Sequence, residues 1–96
     1  MIEQTGDGLR VTAPMIIANA HTLLDAGRRV LRSAAQAQAV VDLTGVSEVD
    51  SSALSVVFAW QRDALERGAS LRISHPPASM ISLAALYGVS ELLPLA

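Results

Sequence analysis

The stretch that most constrains the fold runs from residue 38 to residue 74 and reads QAVVDLTGVSEVDSSALSVVFAWQRDALERGASLRIS. Its first six residues form a valine-rich apolar run, which predicts a central strand buried on both faces. A long apolar segment then begins near Ser51 and ends at Gly68, a residue suited to the left-handed turn after a helix. SLRIS predicts a further strand. Strand, helix and strand in this order indicate parallel strands joined by a right-handed crossover, as in an α/β fold.

The sequence on either side extends this pattern. MIEQ and LRVTA flank the turn sequence TGDG, which predicts a short antiparallel hairpin. Apolar and small residues recur at helical spacing from Ala18 or Asn19 to about Ala34, and a third helix is expected from about Ala78 to Tyr87. The predicted order is β-β-α-β-α-β-α. It corresponds to an α/β domain with a small mixed sheet of about four strands and about three helices packed against it.

Length and composition limit the possible classes of function. Ninety-six residues, 51% of them apolar, suit a single domain that spans residues 1–96. The chain has no cysteine, which excludes disulfides and thiolate sites. Seven arginines and nine acidic residues are scattered without a basic stripe, which argues against a nucleic-acid partner. No apolar run reaches the ~18 residues of a membrane span, and the polar N-terminus lacks a secretory signal, so we expect a cytoplasmic protein.

Few side chains could carry catalysis or hold a cofactor. The two histidines, His21 and His75, follow no Ser-His-Asp order, and no glycine-rich phosphate loop is present. We therefore expect no enzyme activity, no cofactor and no metal. Asp42, Glu48 and Asp50 surround one loop and could in principle hold a hard cation, but their spacing matches no calcium loop. Asp42 is expected to hold its own loop through backbone N–H groups.

Asp50, Ser51 and Ser52 follow the first strand of the crossover, at the edge of the sheet where α/β proteins gather functional residues. One interpretation is that any of the three caps the helix, because Asp and Ser side chains accept hydrogen bonds from the free N–H groups of its first turn. The other interpretation is a functional site, which the apolar character of the following helix favours.

That helix has apolar residues on two sides. Leu54, Val57, Phe58 and Leu65 form a stripe that is predicted to cover the sheet. A second stripe of Ala53, Val56 and Trp60 is expected to form a docking face with Trp60 as its anchor, because so small a domain can hardly bury both stripes. The alternative is that Trp60 shields the sheet edge. The candidate partner-binding residues are Asp50, Ser51, Ser52, Leu54, Ser55, Val56 and Trp60, and the same face would also allow a homodimer.

The segment from residue 40 to residue 74 resembles the STAS domain family, which includes the bacterial anti-sigma factor antagonists. The matching pattern comprises the strand and Asp-Leu-Thr of residues 40–46, the Asp-Ser-Ser-Ala-Leu of residues 50–54, the helix end at Gly68 and the final strand at residues 71–74. The resemblance covers nearly the whole chain. It implies that Ser51 occupies the position of the serine that a partner anti-sigma kinase phosphorylates in the antagonists.

A second branch of the family comprises the small STAS subunits of Mla-type ABC transporters, which move phospholipids between the membranes of Gram-negative bacteria. Residues 13–19, APMIIAN, lack the acidic signature of the antagonists, Ala53 replaces their usual glycine, and the ending LAALYGVSELLP is similar to that of the transporter subunits. The resemblance therefore implies an accessory subunit that binds the cytoplasmic ATPase and lies at the inner membrane through its complex. The alternative is an anti-sigma factor antagonist that is switched by phosphorylation of Ser51.

Overall fold

A computed structural model of the chain describes residues 1–33 and 37–96. The order of elements confirms the predicted α/β domain with a four-stranded mixed sheet and three helices. Its elements are β1 (Ile2–Gln4), β2 (Gly8–Val11), α1 (Ile17–Ser33), β3 (Gln38–Asp42), α2 (Ser51–Glu66), β4 (Ser70–Ser74), α3 (Ala78–Leu86) and a short 3₁₀ turn (Ser90–Leu92). The predicted end of the first helix, at Ala34, lies outside the described residues. Within the described ranges, no helix is both long and apolar enough to cross a bilayer.

The sheet has the strand order β1-β2-β3-β4. β1 pairs with β2 in antiparallel fashion, as the hairpin prediction requires, and β2, β3 and β4 run parallel to one another. Two isolated parallel bridges extend this frame, one from Met15 to Val49 and one from Ile73 to Leu95. The second bridge places the C-terminal tail along part of the β4 edge, where an uncovered strand would expose unpaired backbone groups.

One face of the sheet is buried and the other is open. Leu9, Val41 and Ile73 point into the core with no exposed surface, whereas Arg10 and Arg72 on the alternate positions are exposed. The prediction that β3 is buried on both faces is therefore wrong. The helices that the structure describes cover one face, and the open face carries polar side chains beside the half-buried Val40.

α1 and α2 pack side by side, and α2 also contacts β4 and α3. Three contacts fix their direction: Trp60 reaches Leu24, Asp63 reaches Arg28, and Arg67 reaches Leu31. The pairs advance together along both helices, so α1 and α2 run parallel and their N-terminal ends lie at the same end of the domain. Gly68 and Gly88 end α2 and α3 with φ angles of 74° and 71°, values that favour glycine.

Candidate functional site

Asp50 joins the N-terminal ends of two helices. Its Oδ1 caps α2 by accepting hydrogen bonds from the backbone N–H of Ser52, at 2.9 Å, and from the Ser52 hydroxyl. Its Oδ2 accepts a hydrogen bond from the backbone N–H of Ile17, the first residue of α1, at 2.9 Å. A single carboxylate therefore satisfies free N–H groups of both helices and holds the start of α1 beside the start of α2.

These hydrogen bonds favour the ionised form of Asp50. The Ser52 hydroxyl, followed by the backbone N–H of Ile17, lowers the pKa of Asp50 below its usual value. The positive ends of the two helix dipoles act in the same direction. At neutral pH the site thus contains a carboxylate whose charge is already engaged within the chain.

An open groove of about 650 Å³ lies at this joint between helices. Five of the predicted partner-binding residues line it: Asp50, Ser51, Ser52, Leu54 and Ser55. Ser51 and Ser55 are exposed, whereas Ser52 is half-buried and donates its hydroxyl hydrogen to Asp50. The fold thus brings the predicted polar residues together on a surface that a partner can reach.

Sequence reasoning missed four residues that complete the groove: Ile17, Phe58, Tyr87 and Val89. Ile17 is 74% exposed and Tyr87 is 57% exposed. Ile17 precedes the apolar spacing that predicts α1, and Tyr87 sits at the glycine-ended close of α3. The only indication in the sequence that Ile17 and Tyr87 could belong to a binding surface is that each is a large side chain at a helix end.

Val56 and Trp60 do not belong to this surface, so that part of the predicted docking face is wrong. Their exposed fractions are only 4% and 0%. The indole Nε1 of Trp60 donates a hydrogen bond to the carbonyl oxygen of Leu24 at 3.1 Å, and the ring lies against Gly27, where an added Cβ would stand 2.3 Å from it. Because Gly27 has no side chain, α1 leaves a gap that accepts the indole, and the chain encloses its own tryptophan.

The orientation of α2 differs from the predicted stripes in two further ways. Leu65, predicted to cover the sheet, is 61% exposed near the end of the helix. Leu54 is 5% exposed, so it forms a wall of the groove and contributes little surface of its own. The stripe of Ala53, Val56 and Trp60 that would form the homodimer face is instead part of the core of the same chain.

Asp42 does not line the groove but organises the loop after β3. Its Oδ1 accepts hydrogen bonds from the Thr44 backbone N–H at 2.9 Å and the Thr44 hydroxyl at 2.6 Å, and its Oδ2 accepts one from Arg10 Nε at 3.0 Å. The Thr44 hydroxyl, then the Thr44 N–H, and then Arg10 lower the pKa of Asp42 to about 2. These contacts confirm that Asp42 holds its own loop. In the part of the chain that the structure describes, no three His, Cys, Asp or Glu side chains are grouped to hold a metal ion.

The sequence matches a family model that agrees with the resemblance. The family described as Mlab, STAS domain, matches residues 2–94. No match to the sequence was found among curated proteins.

Two solved structures share the fold. A chain of the Acinetobacter MlaFEDB complex, in its ATP-bound Vtrans2 conformation, has a TM-score of 0.83 and 21% identity over 100% of this chain and 99% of that chain. A Thermotoga maritima protein assigned as an anti-sigma factor antagonist has a TM-score of 0.77 and 14% identity over 99% of this chain and 83% of that chain. At these identities the likeness concerns the fold alone.

Proposed function

The chain belongs to the STAS domain family, and on this basis we propose that it is a non-enzymatic accessory subunit of an Mla-type ABC transporter for phospholipids. In this role it binds the ATPase subunit and regulates its activity, and so contributes to outer-membrane lipid asymmetry. It then lies in the cytoplasm, peripheral to the inner membrane through the transporter complex.

The observation that carries the proposal is the groove at the joined ends of α1 and α2. It places exposed hydroxyl groups, on Ser51 and Ser55, beside the exposed apolar side chains of Ile17 and Tyr87. A mixed surface of this kind, with an aromatic and an aliphatic side chain around polar groups, is typical of protein interfaces. Tyr87 and Ile17 take the anchoring role that the sequence had suggested for Trp60.

Two further points support the transporter branch. The matching family is the one described as Mlab, and a chain of the MlaFEDB complex has this fold along its full length. The second point is Ala53, a buried residue that is 1% exposed. It stands where the antagonists favour glycine, so this position departs from the antagonist pattern.

Contacts of the two histidines support the non-enzymatic part of the proposal. His21 Nε2 lies 3.3 Å from a carboxylate oxygen of Asp25, and His75 Nδ1 lies 3.8 Å from one of Asp42. Both imidazoles therefore face carboxylates, not the groove serines, so neither is arranged as a base for a serine nucleophile.

Co-purification with the transporter ATPase of the same organism tests the proposal. We expect the protein to bring down the ATPase subunit, and Tyr87→Ser to weaken that binding by about tenfold or more, because a lost aromatic anchor commonly costs that much. The same loss is expected for Ile17→Ser. The binding is measured with purified subunits by titration calorimetry.

Leu65→Ser is the matched control, since Leu65 is as exposed as Tyr87 but lies outside the groove. It should leave the affinity unchanged. A control variant that weakens binding while Tyr87→Ser does not would move the docking surface away from the groove, and absence of any ATPase binding would contradict the proposal itself.

The alternative function, an anti-sigma factor antagonist switched by a partner kinase, is favoured by Ser51. This serine is exposed at the first position of α2, and within the described residues its hydroxyl has no hydrogen-bond partner. Phosphorylation would add roughly 1.5 to 2 negative charges to the groove and expel an apolar partner. The intact mass of protein isolated from its native cells decides: an added phosphate on Ser51 under any growth condition supports this alternative, and an unmodified serine throughout contradicts it.

A further inference from the structure

The outer edge of β4 carries backbone groups that can pair with a further strand. The N–H of Ser70 and the carbonyl oxygen of Ser74 take part in hydrogen bonds on the side of β3. Because backbone groups alternate along a strand, those of Leu71 and Ile73 point away from β3. β4 is the last strand in the sheet order of the described residues, so these groups lie at the sheet edge.

The chain itself places a strand-like segment, residues 93–96, on this edge. The N–H of Ile73 donates a hydrogen bond to the carbonyl oxygen of Pro94 at 2.8 Å, and the Ile73 carbonyl oxygen accepts one from the N–H of Ala96 at 2.9 Å. These two bonds form the parallel bridge between Ile73 and Leu95. Leu95 is 47% exposed and borders an opening of about 330 Å³, so a competing strand can approach the bridge.

The segment uses only part of the edge because residue 94 is a proline. In a regular parallel ladder with this register, the N–H of residue 94 would donate a hydrogen bond to the carbonyl oxygen of Leu71. Proline has no N–H, and beyond β3 the backbone of Leu71 has no hydrogen-bond partner among residues 1–33 and 37–96. A regular strand in the same place would pair with Leu71 as well as with Ile73.

Arg72, in the middle of β4, lies on the open face of the sheet and lacks a carboxylate partner. Arg10, on the same face, lies 3.0 Å from a carboxylate oxygen of Asp42 and 3.8 Å from one of Glu3. The exposed Arg72 forms no such ion pair within the described part of the chain. Side chains that lie directly side by side on neighbouring strands interact on one face. An acidic residue of an added strand, placed beside Arg72, would therefore form an ion pair with it.

We propose that the β4 edge binds an extended segment of a partner protein, which runs parallel to β4, and that residues 93–96 occupy this site until the partner displaces them. The partner segment has an acidic residue beside Arg72. The residues before and after it are apolar, because they face the helix-covered side, where Leu93 of the chain's own segment is 8% exposed. Backbone hydrogen bonds provide the affinity and the acidic residue provides the selectivity. None of these residues lines the groove, so the proposal does not rest on the proposed function.

Two eight-residue peptides test the proposal on the full chain. Both are strands of alternating valine and threonine, and they differ at one central position, which is glutamate in one peptide and lysine in the other. We expect the glutamate peptide to shift the backbone amide resonances of Leu71 and Ile73, and to bind at least about fivefold more tightly than the lysine peptide. Equal affinities, or shifts that map outside the β4 edge, would overturn the proposal.

A change at Arg72 tests the selectivity. Arg72→Gln should remove the preference for the glutamate peptide, because the cation that distinguishes the two peptides is lost. Arg62→Gln, which changes an exposed arginine on α2, is the matched control and should retain the preference. A preference that survives Arg72→Gln would contradict the position given to the acidic residue.

A change at residue 96 tests the displacement. Ala96→Pro removes the N–H that donates to Ile73, so the chain's own segment competes less well and the glutamate peptide should bind at least about threefold more tightly. Ala96→Ser keeps the N–H and should leave the affinity unchanged. Circular dichroism checks that both variants are folded. If Ala96→Pro is folded and binds the peptide no more tightly than the unaltered protein does, residues 93–96 do not compete for the edge and the proposal fails.

Discussion

A single carboxylate, that of Asp50, determines how the candidate site is assembled. Its two oxygens accept hydrogen bonds from residues of different helices, Ser52 on α2 and Ile17 on α1. Without it, three donors at the helix ends would have to find water or another acceptor. Ile17 would also lose the contact that keeps its exposed side chain at the rim of the groove.

We predict that Asp50→Ala lowers the midpoint of thermal unfolding by about 5 °C or more, because a lost N-cap destabilises the helix it begins. Asp50→Asn, which retains one acceptor oxygen, should lose less. Circular dichroism at increasing temperature measures both changes. Asp25→Ala is the control. The Asp25 carboxylate lies 3.3 Å from Nε2 of the exposed His21, and such a surface pair contributes little to stability, so this variant should shift the midpoint little. Equal midpoints for Asp50→Ala and the unaltered protein would contradict the joint described for Asp50.

The orientation of α2 is the feature that local sequence could not predict. Its existence and its first residue, Ser51, follow from apolar spacing and the Asp-Ser-Ser cap, both of which act within a few residues. Which side faces α1 depends on Gly27, which is distant in the chain and makes room for Trp60. Spacing alone cannot show such a complementary pair, so the pattern predicts Trp60 on a docking face, with the sheet edge as the alternative.

The candidate site divides in the same way. Its polar residues, from Asp50 to Ser55, were predictable because they follow a strand at the edge of a parallel sheet. Ile17 and Tyr87 come from α1 and the end of α3, and only the folded chain brings them beside α2. The spacing of apolar residues within one helix cannot predict a site residue that reaches the groove from a different element.

We predict that Gly27→Ala destabilises the protein by about 1–3 kcal/mol, because the new methyl group would overlap the indole of Trp60. Trp60→Phe in the same chain should recover part of that loss, so that the double variant is less unstable than the sum of the single changes. Urea denaturation measures each free energy of unfolding. Gly6→Ala is the control, since a Cβ there meets no atom within 4 Å. Strictly additive changes at Gly27 and Trp60 would show that the two side chains do not compete for space.

The sheet has one face covered by helices and one open face. An ionised carboxylate holds a loop or a helix end on each of these two sides. Asp42 pairs with Arg10 on the open face, where it also holds the loop after β3. Asp50 acts on the helical side. The pKa values of Asp42 and Asp50 are both below the usual value of an aspartate. The folded chain therefore binds protons at these two carboxylates less readily than the unfolded chain does.

This difference makes stability depend on pH in a defined direction. A carboxyl with a lowered pKa stabilises the fold above its unfolded pKa of ~3.9 and ceases to do so as the pH falls through its folded value, about 2 for Asp42. We therefore predict that the urea midpoint of unfolding falls between about pH 4 and pH 2. Asp42→Asn should be less stable than the unaltered protein at pH 7, and most of this difference should be lost as the pH falls to about 2. An equal difference at both pH values would contradict the role given to the Asp42 charge.

The enclosed position of Trp60 has a practical consequence. It is the only tryptophan, it has no exposed surface, and its indole N–H is bonded to the backbone of α1. Its fluorescence therefore reports whether the contact between α1 and α2 is intact. A ligand that settles on the groove should leave that emission unchanged, so a red shift on mixing would report loosening of the domain instead of occupancy.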